Sequence, residues 1–202
     1  FEARYLFRFL NIDKLRRINY CEKENHKNYE ININNKINIQ VMNDSHIQQA
    51  YNIFKKNIKE YDLSINFNNI THFKKYFGNI IKNGHIYGPI YSFVVLDENN
   101  DVTDWVSIYS SPYKIKGTDE LLSVVNLLRL EITKTNVVDL MNNIFYITKH
   151  NNFDLFNIPE LYNLNNKINN LKLDTCNAML EYYTYNFNCG IINKNKVSLV
   201  LP

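Results

Sequence analysis

Residues 90–109 commit this chain to a β-sheet. Ile90 to Leu96 is an apolar stretch without charge, Asp97-Glu98-Asn99-Asn100-Asp101 is a polar turn, and Val102 to Tyr109 is the return strand. Two such runs around a short polar connection read as a hairpin. Upstream, Ile37, Ile39 and Val41 alternate with polar residues, as a half-buried strand does. Ile47, Ala50, Tyr51, Phe54, Ile58 and Tyr61 then recur at spacings of three and four, one face of a helix. Asp44 or Ser45 is its expected cap. Phe73, Tyr76, Phe77, Ile80 and Ile81 repeat the pattern in a second helix, which Gly84 is expected to end.

Downstream of the hairpin, Leu121 to Ile132 fits either a helix or a buried strand. Val137 to His150 reads as a helix with Val138, Met141, Phe145 and Ile147 or Thr148 facing inward. Leu155-Phe156 is a short strand, and Pro159 is placed to open a helix running to about Leu171. Leu180 to Phe187 and Lys196 to Leu201 read as strands. Tyr5 to Leu15 shows no strong period, and Glu22 to Asn38 reads as a polar loop. The order predicts an α/β or α+β layout with a mixed sheet. Nothing within it reads as a linker or an internal repeat.

At 202 residues the chain suits one domain, or one lobe of a two-lobe enzyme. A formal charge of +3 with no basic stripe gives nucleic-acid binding no support. Roughly one residue in six is Asn, far above ordinary usage. Such an excess, with Ile and Lys, is what an A/T-rich genome produces, so a single Asn carries little weight. Cys21, Cys176 and Cys189 form no C-x-x-C pair and are odd in number, which argues for a reducing, cytoplasmic setting. No apolar run approaches the ~20 residues of a membrane helix. The start, Phe1-Glu2-Ala3-Arg4, is no signal peptide and has no initiator Met, so the chain is expected to begin inside a longer protein.

Standard chemical motifs are missing. There is no G-x-G-x-x-G, P-loop, H-E-x-x-H or G-x-S-x-G. His26, His46, His72, His85 and His150 do not stand at metal-ligand spacing, and the acids form no evident catalytic pair.

Four stretches nevertheless form a pattern. Arg4-Tyr5-Leu6-Phe7-Arg8-Phe9-Leu10-Asn11, with Lys14-Leu15, is similar to the R-Y-W-H-R-S-L-N-P-K-K-L segment of the N-myristoyltransferases. Val102-Thr103-Asp104-Trp105, running to Tyr109-Ser110-Ser111-Pro112, is similar to V-T-D-F-x-S-F-Y-x-L-P. Asp139-Leu140-Met141-Asn142-Asn143 and Phe153-Asp154-Leu155-Phe156-Asn157 resemble D-L-M-N-D and F-D-V-F-N-A-L. Leu180 to Asn186 and Lys196 to Pro202 resemble L-x-Y-Y-L-Y-N and the terminal K-V-G-L-V-L-x. No one motif decides, but the four stand in order along the whole chain.

The resemblance implies the acyl-CoA N-acyltransferase (GNAT-like) fold, of which such enzymes carry two copies. It also suggests that Leu121 to Ile132 is at least partly strand. It divides the chain into residues 1–36, a segment and loop between lobes, and 37–202, the C-terminal peptide-binding domain. It implies no bound cofactor. Myristoyl-CoA is a co-substrate held mainly by the N-terminal half, and the other partner is the N-terminal glycine peptide of a substrate protein.

Pro202 is then the catalytic residue, through its terminal carboxylate. An α-amino group has a pKa of ~8 and is mostly protonated at neutral pH, so it needs to lose a proton before attacking a thioester. A free α-carboxyl, near ~3.5, is a weak base unless desolvation raises it. It either takes the proton or orients the ammonium. The resemblance also implies groove positions at Tyr5, Phe7, Tyr20, Tyr113, Asn126, Asn157, Asn177 and Leu180.

Several of these depart from the family pattern. Phe7 stands for His and Tyr113 for Ser. The Y-x-F-Y-N run corresponds to Asn126-Leu127-Leu128-Arg129-Leu130. The loop G-x-G-D-G reads Asp174-Thr175-Cys176-Asn177-Ala178, without its glycines and with Asn177 for Asp, so a different backbone path is expected. Two readings follow: an enzyme half, inactive alone, or a non-catalytic peptide-binding or scaffold descendant. A different acyl-CoA acyltransferase is a third, but its glycine-rich phosphate turn is not visible.

Overall fold

The computed structural model describes residues 2–21, 29–161, 169–181, 190 and 192–198. Its elements are β1 (Glu2–Phe9), α1 (Ile12–Arg17), β2 (Asn38–Val41), α2 (Ile47–Asn57), β3 (Leu63–Ser64), α3 (Ile70–Phe77), β4 (Ile80–Lys82) and β5 (His85–Tyr87). There follow β6 (Ile90–Leu96), β7 (Val102–Lys114), β8 (Leu121–Glu131), α4 (Val137–His150), β9 (Leu155–Pro159), β10 (Asp174–Glu181) and β11 (Val197–Ser198). Seven strands form one sheet in the order β10-β1-β9-β8-β7-β6-β2. Only β8 and β9 run parallel in it; the other neighbours are antiparallel. The fold is the mixed α+β arrangement expected.

Both faces of the sheet are covered. On one face Leu140, Met141, Ile144 and Phe145 of α4 pack against Val106, Ile108, Val125, Leu127, Phe156 and Ile158. On the other, α2 and α3 press Phe54, Phe73 and Phe77 onto Trp105 of β7. The Phe73 and Phe77 rings lie 5.5 and 5.1 Å from the Trp105 ring, tilted or edge-on, as aromatic pairs prefer. Further along this second face, Leu15 of α1 joins Phe9, Leu122, Val124 and Leu155. Buried Asp154 fixes that corner. It accepts from Lys14 Nζ at 2.6 Å, the Ser123 amide at 2.9 Å and Asn11 Nδ2 at 3.1 Å.

The 90–109 hairpin and the helix at 137–150 form as read. Leu121–Glu131 resolves as strand, with register to both β7 and β9. Other expectations change. Neither Asp44 nor Ser45 caps α2; its N-cap is His46, with no side-chain cap bond. Asn43 instead takes the Ser45 amide and hydroxyl, and Asp44 pairs with Lys74 across the helices. The second helix ends at Gly78 rather than Gly84. A Cβ at Gly78 would sit 2.5 Å from the Lys74 carbonyl oxygen, so only glycine lets the chain turn away there. Ile80 and Ile81 then belong to a separate hairpin and are exposed. Its turn is Asn83-Gly84, both at positive φ (50° and 78°), the two-residue turn that matches strand twist.

Pro159 is the last residue of β9, and the helix expected from there to about Leu171 falls largely on residues 162–168, outside the described residues. Tyr5–Leu15, without period by sequence, is β1 and α1. Residues 2–9, assigned above to a connecting segment, pair on both sides inside the sheet, between β10 and β9. Residues 174–178, a loop in the family pattern, are strand in β10. That strand is registered to β1 as Leu6↔Thr175 and Arg4↔Met179, so Tyr5 faces three residues at a bulge. The strand expected at 180–187 therefore begins earlier, and 182–189 lie outside the described residues.

Candidate functional site

β8 and β9 stay in register over only three positions, Val124↔Leu155, Val125↔Phe156 and Asn126↔Asn157. β8 continues to Glu131 and β9 to Pro159, so the last pair marks where the parallel strands part. There Asn157 Nδ2 donates to Asn126 Oδ1 at 3.0 Å, and Asn126 Nδ2 donates to Ser111 Oγ at 2.7 Å. The row extends both ways, since Phe7 lies opposite Asn157 and Tyr109 opposite Asn126. Phe7, Asn157, Asn126 and Tyr109 thus cross β1, β9, β8 and β7 on the face turned away from α4.

Three phenols border this row. Tyr5 precedes Phe7 by one pleat repeat, and Tyr113 follows Tyr109 by two, all on the same face. Burial, with the nearby Tyr5 and Tyr113, pushes the Tyr109 phenol up to about 12. Burial and Tyr113 likewise raise Tyr5. Both stay neutral near pH 7 and serve as hydrogen-bond donors. Tyr113 is half exposed, at the rim. Phe7 and Phe9 lie tilted at 5.2 Å, and Phe9 meets Tyr20 edge-on at 6.5 Å, one ring further from the row than Phe9. The strip therefore offers amides, hydroxyls and ring faces. Among its described residues there is no carboxylate, ammonium, guanidinium or imidazole. Among the described residues no group of His, Cys, Asp and Glu could hold a metal ion. Nor is any described helix long and apolar enough to cross a membrane.

Two further buried ionic groups lie in this sheet, the first on the face of the strip and the second on the α4 face. Arg129 and Glu131 are paired on β8, with Ser107 of β7 opposite Arg129. The second is Asp104 of β7, under the loop that leads into α4. Its carboxylate accepts from the amides of Thr133 and Lys134, from Thr135 through both amide and hydroxyl, and from the Thr103 hydroxyl. Burial alone would push this carboxyl up, but those donors outweigh it and hold it below the usual range. Consecutive amides ahead of a helix are ready to hold an anion. Here the chain's own carboxylate fills them.

Of the residues proposed from sequence, the structure gathers Tyr5, Phe7, Tyr113, Asn126 and Asn157. Tyr20 lies apart from them. Asn177 and Leu180 fall on β10, beside β1; Leu180 pairs with Ala3, and Asn177 belongs to the bulge opposite Tyr5. Their side chains, and Pro202 altogether, lie outside the described residues. Sequence reading missed Tyr109 and Ser111 as part of the strip. Their spacing of two from Tyr113 in a strand was the available signal.

Comparison with known proteins settles the lineage. Residues 13–200 match the family described as Myristoyl-CoA:protein N-myristoyltransferase, C-terminal domain. The chain belongs to this family. A glycylpeptide N-tetradecanoyltransferase of Plasmodium falciparum (isolate 3D7) is 26% identical over 211 residues, covering 98% of this chain and 49% of that protein. A probable one from Caenorhabditis elegans is 25% identical, over 81% of this chain and 36% of its own length. The chain spans about half the length of the first of these relatives. Saccharomyces cerevisiae N-myristoyltransferase with bound myristoyl-CoA superposes with a TM-score of 0.74 at 17% identity, over 88% of this chain and 46% of that one. The fold is thus that of the N-myristoyltransferases, a GNAT-like acyltransferase fold.

Proposed function

We propose that this chain is the peptide-binding half of an N-myristoyltransferase and works with a second, acyl-CoA-binding half. The observation that carries this is the Ser111–Asn126–Asn157 chain of hydrogen bonds, bordered by Tyr5, Tyr109 and Tyr113, where β8 and β9 part. It offers neutral donors and acceptors to a peptide backbone and aromatic faces to its side chains. The family resemblance assigns myristoyl-CoA mainly to the other half. The name glycylpeptide N-tetradecanoyltransferase, carried by the relatives, supplies the substrates: myristoyl-CoA and a peptide with an N-terminal glycine.

In this reading the glycine ammonium gives up a proton, and the carboxylate assigned to Pro202 accepts or orients it. The amine nitrogen then attacks the thioester carbonyl. A C–N bond forms, the C–S bond breaks, and CoA leaves as the thiolate while the nitrogen loses a second proton. Nothing is oxidised or reduced. The setting is the cytoplasm, where a thiol such as Cys21 stays unpaired.

One observation favours the non-catalytic alternative: β10 is strand where the family pattern has a glycine-rich loop. Mass analysis of full-length protein incubated with myristoyl-CoA and a glycine peptide separates the two. Acylation of the free-amine peptide, and none of its N-acetylated form, is expected. Peptide binding without acylation would establish the descendant instead.

A further inference from the structure

Asn79 roots the β4–β5 hairpin on the edge of the main sheet. Its Nδ2 donates to the carbonyls of Met42 at 2.8 Å and Ser92 at 2.7 Å, and its Oδ1 accepts from the Ser92 amide at 2.8 Å. The edge strand β2 stops at Val41, opposite Phe93, and the hairpin emerges where it ends. Past this root the ribbon is thinly covered. Ile80 and Ile81 of β4, Tyr87 of β5 and Tyr76 of α3 are 40–58% exposed. A cleft of about 590 Å³ separates the ribbon from α3, with Thr71, Lys74 and Lys75 on one wall and Ile80 and Tyr87 on the other. A two-stranded ribbon is marginal in water by itself, and clustered exposed apolar chains mark a surface that meets something.

The charge around this patch says what. No Asp or Glu occurs between Asp62 and Asp97, whereas Lys74, Lys75 and Lys82 do. Lys74 pairs with Asp44 at 2.7 Å. Among the described residues no acid pairs with Lys75 or Lys82. Lys82 lies instead 5.9 Å from the centre of the Tyr87 ring. Register places Ile80 opposite Tyr87 and Lys82 opposite His85, so aliphatic, aromatic and cationic groups share one face of the ribbon. A second copy of the chain fits this poorly, because a two-fold contact would set lysines against lysines. A nucleic acid would meet the lysines but leave the isoleucines unserved. An anionic bilayer serves both: lysines sit at the phosphates, and tyrosine and isoleucine enter the headgroup boundary.

We propose that the β4–β5 hairpin, with the adjoining end of α3, docks this protein on an anionic lipid surface. Ile80, Ile81, Tyr76 and Tyr87 supply the apolar contact, and Lys75 and Lys82 the charge. The product of the proposed reaction carries an acyl chain that by itself holds a protein to a membrane only marginally. Docking through the hairpin places release of that product beside the bilayer. This consequence rests on the proposed acylation; the docking does not.

The test uses full-length protein and vesicles of phosphatidylcholine, alone or with about one-third phosphatidylserine. Co-sedimentation with the vesicles, melting temperature and molecular mass in solution are measured. The wild type should bind the serine-containing vesicles, release them as salt rises, and leave pure phosphatidylcholine unbound. Lys75→Ala with Lys82→Ala should weaken partitioning roughly tenfold or more, since each lysine at such a surface is worth about fivefold. Ile80→Ser with Ile81→Ser, which leaves the charge unchanged, should lose about tenfold or more as well. Both pairs should keep the wild-type melting temperature, because all four side chains are exposed. Absence of binding to the serine-containing vesicles, or binding that neither pair alters, overturns the proposal. So does a lowered melting temperature in the isoleucine pair without vesicle binding by the wild type, which would mean that the rest of the protein covers the hairpin. A dimer abolished by the same pair, in place of vesicle binding, would assign the patch to a second copy instead.

Discussion

Asn157 donates to Asn126 at the last position where the two parallel strands pair. Removing either amide leaves the other short of a partner, which costs about 1–3 kcal/mol when the orphaned group is buried. Asn126→Ala and Asn157→Ala should therefore not add. A double-mutant cycle in urea should show a coupling of about 1 kcal/mol or more. Strict additivity would mean that the pair acts as two independent surface amides.

Asp104 should dominate the acid side of stability. Its folded-state value is depressed, so its contribution is present above the unfolded carboxylate pKa of about 4 and is lost as pH falls through the lower folded value. Asp104→Asn forfeits charged hydrogen bonds to the loop before α4, roughly 2–4 kcal/mol. The melting temperature should drop by roughly 5–10 °C at neutral pH. The gap between wild type and variant should stay flat from pH 5 to 8 and narrow below ~4. A gap that persists unchanged to pH 3 would assign the loss to shape rather than charge.

Much of this was legible because local and global signals agreed. Val137–His150 combines an Asn136 cap, bonded to the Val138 amide, with a continuous apolar face. The Asp97 carboxylate closes the 97–101 turn on the amides of Asn99 and Asp101. Ile80 and Ile81 misled because their spacing from Phe77 continues a helix, whereas Gly78 and the Asn83-Gly84 turn end one element and build another. The groove residues gathered from resemblance, not from spacing; Asn126 is indistinguishable from other asparagines in so Asn-rich a chain. Arg129 and Glu131 were passed over in an ambiguous run. Once that run is strand, opposite charges at i and i+2 share a face and can pair with each other, as Arg129 and Glu131 do.

The second face depends on one aromatic cluster. Phe73 is fully buried among Phe54, Phe67, Phe77 and Trp105. Phe73→Ala should cost about 3–5 kcal/mol, read as a lower urea midpoint at unchanged slope. Phe73→Leu should recover most of it. A loss below 1 kcal/mol would mean that α3 does not pack as described.

Specificity should be relaxed toward basic peptides. Tyr113 stands for a small hydroxyl residue at the rim, and Asn177 for an acid. Peptides with and without a Lys after the glycine motif should therefore differ little in kcat/KM. A strong preference for that Lys, tenfold or more, would require an acid elsewhere in the groove.

The location of the peptide is the central claim, and photo-crosslinking tests it most directly. A benzophenone side chain installed at Tyr113 of the full-length protein should capture an N-terminal glycine peptide on irradiation. Excess unlabelled peptide should suppress the capture, and CoA should not. The same side chain at Tyr87, exposed on the β4–β5 hairpin, should capture nothing. Capture at residue 87 and none at 113 would contradict the account, because the peptide would then lie away from the Asn126–Asn157 row.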